Sequence, residues 1–174
     1  MLPFDKDKPA EAPPPQSERG SLAKRRRNAR QKAMQALYQW DFDSDAAPVS
    51  EIVAQFCALQ NMERVDIAYF ESLALYVTDH LQEIDRHIGA QTVDRTLGDL
   101  DPVERAVLRV ACAELISRLD IPYRVVVNEA VEIAKLFGAD QGHRFVNGVV
   151  DKLAAQLRAT EYGQAASQSG EDNK

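Results

Sequence analysis

The chain has 174 residues, 45% of them hydrophobic, only 8 glycines and a formal net charge of −6. That length fits one domain with tails, and no apolar run reaches the roughly 18 residues a membrane span needs. The opening MLPFDKDKPAEAPPPQSERG has no apolar stretch of the secretory kind, so the chain reads as cytoplasmic. Cys57 and Cys112 each sit among apolar neighbours and read as small core residues in a reducing compartment, not as a disulfide framework or a CxxC metal pair.

Residues 1–20 are rich in Pro, Asp, Glu, Lys and Ser and lack the apolar surface to offset the entropy of ordering, so a disordered tail is expected there. Residues 160–174 read the same way, which leaves 21–159 for the fold. Apolar periodicity then marks successive helices. The first runs over about 23–42, where Ala29, Ala33, Ala36, Leu37 and Trp40 fall in one inward arc, with Met34 at its edge and Tyr38 nearly opposite. The second covers about 48–60, with Ile52, Val53, Phe56 and Leu59 inward. The third is read as one long helix over about 64–89, because Ile67, Phe70, Ala74, Val77, Leu81, Ile84 and Ile88 make a continuous stripe. The fourth opens at DPVE: Asp101 caps, Pro102 suits the first helical position, and Glu104 is placed to reach back. Its body to Leu119 is apolar on most sides, as a central helix requires. The fifth starts near IPYR and stops at Gly138, a good terminator. The sixth covers about 142–159, with Val146, Val149, Val150, Leu153 and Leu157 inward. No alternating strand pattern competes, so the fold class is an all-α helical bundle.

The charge is uneven. Seven basic residues and no acid lie between Arg19 and Gln39, leaving −13 on the rest of the chain. A polyanion is drawn to that end. Lys24, Arg25, Arg26, Arg27 and Arg30 lie in the approach to the first helix and on its outer face, with Gln31 and Tyr38 beside them. Arginine forks match phosphate oxygens, and a tyrosine face stacks on an unpaired base. The plain alternative is a solvated basic face with one exposed ring. A membrane surface is a poorer fit, because the inward face of this helix is alanine-rich. FGADQGHRFVNG, joining the fifth and sixth helices, is a second candidate. A helix N-terminus there offers free N–H groups, with His143 and Arg144 as further donors, and Phe145 fits either the core or a stacking ring.

Enzyme signatures are absent: there is no P-loop, GxGxxG or HExxH, and the carboxylates are scattered at surface spacings. No cofactor is called for. His80, Glu83 and His87 share one face of the third helix at a spacing that suits a metal, but three polar residues on a solvated face look identical.

RRRNARQKAMQALYQW, VERAVLRVACAEL and IPYRVVVNEAVEIAKLFGADQGHRFVNGVVDKL resemble, in that order, the NusB family of bacterial transcription antitermination factors, over about residues 23–158. The resemblance implies about six to seven helices in two packed subdomains and no catalysis. It implies binding to the single-stranded boxA element of ribosomal RNA leader transcripts. It also implies a heterodimer with NusE, a small-subunit ribosomal protein, joining NusA, NusG and RNA polymerase. Some family members are monomers and others homodimers that hide the RNA face. Arg25, Arg26, Arg27 and Arg30 match the family's arginine-rich motif, and Tyr38 its first-helix tyrosine. Asp140, Gln141, His143, Arg144 and Phe145 match its RNA-proximal loop, and Glu104 an acidic position expected at RNA or partner. Gln141 and Gly142 depart from an acidic-then-serine pair, and the proline-rich start has no counterpart. The same fold opens some ribosomal RNA cytosine methyltransferases, but a catalytic domain of about 200 further residues is then required. A protein-interaction scaffold is the main alternative.

Overall fold

The computed structural model describes residues 16–171; residues 1–15 and 172–174, parts of the two expected tails, lie outside the described residues. No strand occurs among the described residues. In chain order the helices are α1 (Gln16–Phe42), α2 (Val49–Leu59), α3 (Ile67–Asp79), α4 (Leu81–Gln91), α5 (Pro102–Ser117), α6 (Tyr123–Phe137), α7 (Gly142–Leu157) and α8 (Ala159–Glu171), with a 3₁₀ turn at Leu97–Asp99. Helices α1, α2 and α3 pack together, as do α4, α5, α6 and α7, and α5 lies against both α1 and α3. The result is two helical groups sharing a central helix.

That centrality is written in α5, where every residue from Ala106 to Leu115 is buried. Its start is as the residues dictate: Pro102 takes the first turn, where a missing N–H costs nothing. The Asp101 carboxylate accepts from the amides of Val103 (2.9 Å) and Glu104 (3.3 Å). Glu104 does not reach back to close a capping box. Its side chain is buried instead against Gly142 at the start of α7, where an added Cβ would lie 2.5 Å from Glu104 Oε1.

The structure differs from the sequence reading in four places. The third helix is two helices, broken at His80 (φ −121, ψ 27). The His80 ring stacks on Tyr76 at 3.9 Å and its Nδ1 lies 3.1 Å from the Tyr76 carbonyl, so the side chain closes α3 while the chain turns to lay α4 on α5 and α7. His80 is thereby turned from His87, whose Nε2 is 3.8 Å from Glu83, and no group of three or more His, Cys, Asp or Glu residues is set to hold a metal among the described residues. Leu59, expected inward, is 83% exposed, because α2 ends there and the next residue is extended. Met34, placed at the edge, is fully buried. Finally, helix reaches into both expected tails. α1 begins at Gln16, directly after the last of three prolines, and residues 159–171 form α8. Tyr162 fixes α8, packing on Tyr123 with ring centroids 5.1 Å apart and donating to Asp151 at 2.9 Å. The Glu161 carboxylate accepts from the Tyr123 amide at 2.9 Å, capping the start of α6. Tyr123 lies 38 positions upstream of Glu161, beyond the reach of a local composition argument.

Candidate nucleic-acid interface

At 100° per residue, Lys24, Asn28, Gln31, Gln35, Tyr38 and Phe42 fall in one arc of about 80° along α1, opposite Ala29, Ala33, Ala36 and Leu37, which are buried to 1% exposure or less. The alanines let α1 lie close to α3 and α5 and so fix which face points out. The outward row carries a cation at one end, amides in the middle and two rings at the other. Tyr38 and Phe42 meet edge to face at 4.9 Å, each exposed. Over 18 residues the row spans about 27 Å.

The basic residues of α1 are not equivalent. Lys24 and Arg25 are exposed, and Gln31 is half-buried beside them. Arg26 is half-buried, its guanidinium 5.0 Å from the Tyr69 ring centroid and 3.7 Å from Asp66. Arg27 is over half exposed but forks Glu129 on α6 at 2.8 and 3.0 Å, an ion pair that raises its pKa further. Arg30 corrects the expectation outright. It was expected outside, ready for phosphate; instead it is 3% exposed. It grips Glu114 of α5 with contacts of 2.9, 2.9 and 2.5 Å. Tyr69 also donates to Glu114, and its hydroxyl is itself held protonated, by burial first and by the Glu114 charge second. A buried carboxylate needs such donors, and Arg30 supplies a planar fork that lysine lacks. Arg30 is a core residue, not a binding residue.

The second candidate stretch splits into two surfaces. Gln141 is exposed in the left-handed region (φ 68) and sets the entry to α7, with Asp140 exposed before it. Half-buried His143 and exposed Arg144 face α6 across a shallow groove with Asn128, Glu132 and Lys135. Phe145 turns the other way. It packs partly on the core, and the Arg95 guanidinium lies 5.0 Å from its ring centroid, in a cleft with Gln91, Val93 and Lys152. Phe145 is thus partly a core residue, with part of its ring at the surface beside Arg95. Glu104 sits under this region; burial foremost and the Asp101 charge next raise its pKa, with Arg95 opposing.

Two successive residues of α5 join the sites. Glu104 meets Gly142, while Arg105 donates to Asp41 on α1 (2.6 Å) and to the Leu97 carbonyl (3.0 Å). Arg109 reinforces the joint, bonding Asp41 at 3.0 Å and forking Asp85 at 2.9 and 3.0 Å. The Tyr38–Phe42 end of α1 and the Phe145 cleft thus flank the N-terminus of α5. Sequence reasoning missed Phe42, Arg95 and Lys152. Phe42 was legible, being four residues from Tyr38 on the same arc. Arg95 lies between helices, where no periodicity applies.

Fold and surface together define an all-helical protein whose exposed cations and rings and half-buried amides suit a nucleic acid with accessible bases. The chain belongs to the NusB family, whose model matches residues 27–155. The transcription antitermination protein NusB of Pseudomonas savastanoi pv. phaseolicola is 48% identical over 157 residues, covering 90% of this chain and 93% of that one. That of Halorhodospira halophila is 47% identical over 150 residues, covering 85% and 94%. Among solved structures, T. maritima NusB superposes with a TM-score of 0.65 at 33% identity, covering 74% of this chain and 89% of that one. A structure of the antitermination factors NusB and NusE in complex with double-stranded RNA gives 0.59 at 30% identity, covering 74% and 94%. No helix of the described residues is long and apolar enough to cross a membrane.

Proposed function

We propose that this chain is a transcription antitermination factor that binds the boxA element of ribosomal RNA leader transcripts as an unpaired strand. It does so as a heterodimer with NusE, and the pair joins NusA, NusG and RNA polymerase to keep ribosomal RNA transcription processive. No bond is made or broken; the function is binding. The observation that carries the reading is the outward row of α1, where a cation, amides and paired rings follow one another along a single face, with Arg25 and Arg27 beside it. Each part has a distinct task. Lys24 and Arg25 meet phosphates, and Arg27 joins them by exchanging Glu129 for a phosphate oxygen. Gln31 and Gln35 offer amide donors and acceptors to base edges. Tyr38, supported edge-on by Phe42, stacks on a splayed base, and Phe145 under Arg95 provides a second platform across the N-terminus of α5. The relatives' names support the antitermination role, and the NusB–NusE complex with double-stranded RNA supports NusE and RNA as partners. The rings favour unpaired bases, because a duplex keeps its base faces stacked inside.

Replacing Tyr38 by alanine tests this. Stacking on one aromatic ring is worth about 1–3 kcal/mol, so boxA RNA affinity should fall by that amount. Tyr38 is 36% exposed, so the melting temperature should hold. Full affinity with lost stability would return Tyr38 to the core, and equal weak binding to boxA and scrambled RNA would favour a protein-interaction scaffold.

A further inference from the structure

Residues 60–66, linking α2 to α3, lie along one flank of α1 and are held there by side chains of that helix. Arg25 Nη2 donates to the Val65 carbonyl at 3.5 Å, Asn28 Nδ2 to the Arg64 carbonyl at 2.8 Å, and Lys32 Nζ to Gln60 Oε1. The backbone completes the seam, with the Asp66 amide donating to the Arg25 carbonyl at 3.2 Å, and Val65 is buried beneath it at 4% exposure. The Asn61 side chain folds the turn by accepting from the Glu63 amide at 3.0 Å. A loop tied at this many points is a fixed ledge rather than a mobile connection.

Between ledge and helix run two grooves, of about 390 and 320 Å³, in line along α1. Lys24 and Arg25 line the first, and Asn28, Gln31 and Gln35 the second; Glu63 and Arg64 border both. Four cations (Lys24, Arg25, Lys32 and Arg64) face one acid, Glu63, although the chain as a whole is acidic. Arg64 is exposed, and its guanidinium has no hydrogen-bond or ion-pair partner among the described residues.

We infer that the α2–α3 ledge is the second wall of the RNA groove, with Arg64 contacting a phosphate opposite Lys24 and Arg25, and Asn61 facing the amides of α1. The inference rests on the RNA-binding reading above and adds to it residues outside both candidate stretches. The chemistry favours an extended polyanion over a compact anion. The lined length, from Ser21 to Gln35, is about 21 Å, and Lys32 carries positive charge beyond the end held by Lys24, Arg25 and Arg64. Amide side chains, which offer both donor and acceptor, alternate with the cations where base edges would lie. A strand held between two walls also has its bases turned toward Tyr38 at the far end of the same row.

Fluorescence anisotropy with a labelled single-stranded boxA RNA, titrated at several salt concentrations, tests the inference. Arg64→Ala should weaken binding roughly fivefold and reduce the salt slope by about 0.7, the loss of one single-strand phosphate contact. Arg64→Lys should retain most of the slope, since it keeps the charge. Arg86→Ala, on the exposed face of α4, removes the same charge elsewhere and should leave binding unchanged. If Arg64→Ala behaves like the unaltered protein or like Arg86→Ala, while Lys24→Ala with Arg25→Ala weakens binding, the ledge is not part of the groove and the inference falls alone. If the unaltered protein fails to bind the RNA, the functional reading falls and takes the ledge with it.

Discussion

Replacing Arg30 by methionine separates the scaffold of this molecule from its surface. The guanidinium is 4% exposed and Glu114 1% exposed, so the substitution leaves a carboxylate in the core with only the Tyr69 hydroxyl as donor. Removing one member of a buried ion pair costs about 3–5 kcal/mol. A domain of this size moves by about 2–4 °C per kcal/mol, so the melting temperature should drop by about 6–20 °C. Most of the loss comes from the stranded charge, not from the missing attraction. Arg30→Met with Glu114→Leu should therefore recover to within about 2 kcal/mol of the unaltered protein, the remainder being the orphaned Tyr69 hydroxyl. Urea denaturation of the two single variants and the double variant measures this. RNA titration of Arg30→Met, at a temperature where it stays folded, should give unchanged affinity. A loss of less than about 1 kcal/mol would refute the reasoning, as would normal stability with a clear loss of RNA binding, because both would place Arg30 at the surface.

Gly138 ends α6 with an ordinary backbone (φ −87), yet a Cβ there would lie 2.6 Å from the Ala134 carbonyl oxygen. Gly138→Ala should therefore lower stability by about 1–3 kcal/mol, as forced overlap in a packed site does; an unchanged melting curve would show that the helix end relaxes freely. Burial pushes the Asp41 carboxyl up, but the hydrogen bonds and charges of Arg105 and Arg109 outweigh it and hold it below the ordinary value of 3.8. Its contribution is then complete at neutral pH and is lost as the pH falls from that value through the folded one. Asp41→Asn should cost about 1–3 kcal/mol at pH 7 and flatten the acid limb of stability below about pH 5. Urea midpoints from neutral pH down through that limb check both, and an equally steep acid limb in the variant would assign the acid sensitivity to other carboxylates.

The helical class was legible because period-3.6 stripes, the Asp101–Pro102 start and the Gly138 stop are local signals, and each is used in the fold. The break at His80 was not, since the stripe of Ala74, Val77, Leu81 and Ile84 passes through it without a change of spacing. The chain bends there as His80 folds onto Tyr76 and α4 is laid against α5 and α7. Arg30 is the instructive case at the site. Its type suggested surface and phosphate, but at 100° per residue its position falls between Leu37 and Met34, toward one margin of the buried arc. Glu114 gave the matching clue, being an acid inside the apolar run of α5. Pairing the two across 84 residues required the tertiary arrangement. The exposure of Lys24 and Tyr38 was legible because nothing distant claims them; Arg25 and Arg27 were only half so, because the Val65 carbonyl and Glu129 of α6 hold them from afar.

The central role of α1 has a consequence for what changes this chain tolerates. One helix bears the buried alanines and Arg30 on one side and the outward row on the other, so the two registers are locked in phase. Inserting or deleting a single residue near Gln35 swings everything beyond it by about 100°. That would drive Tyr38 and Phe42 away from the α5 N-terminus in the same step that pulls Leu37 out of the interior. Length changes in α1 therefore cannot trade folding against recognition. They abolish both at once.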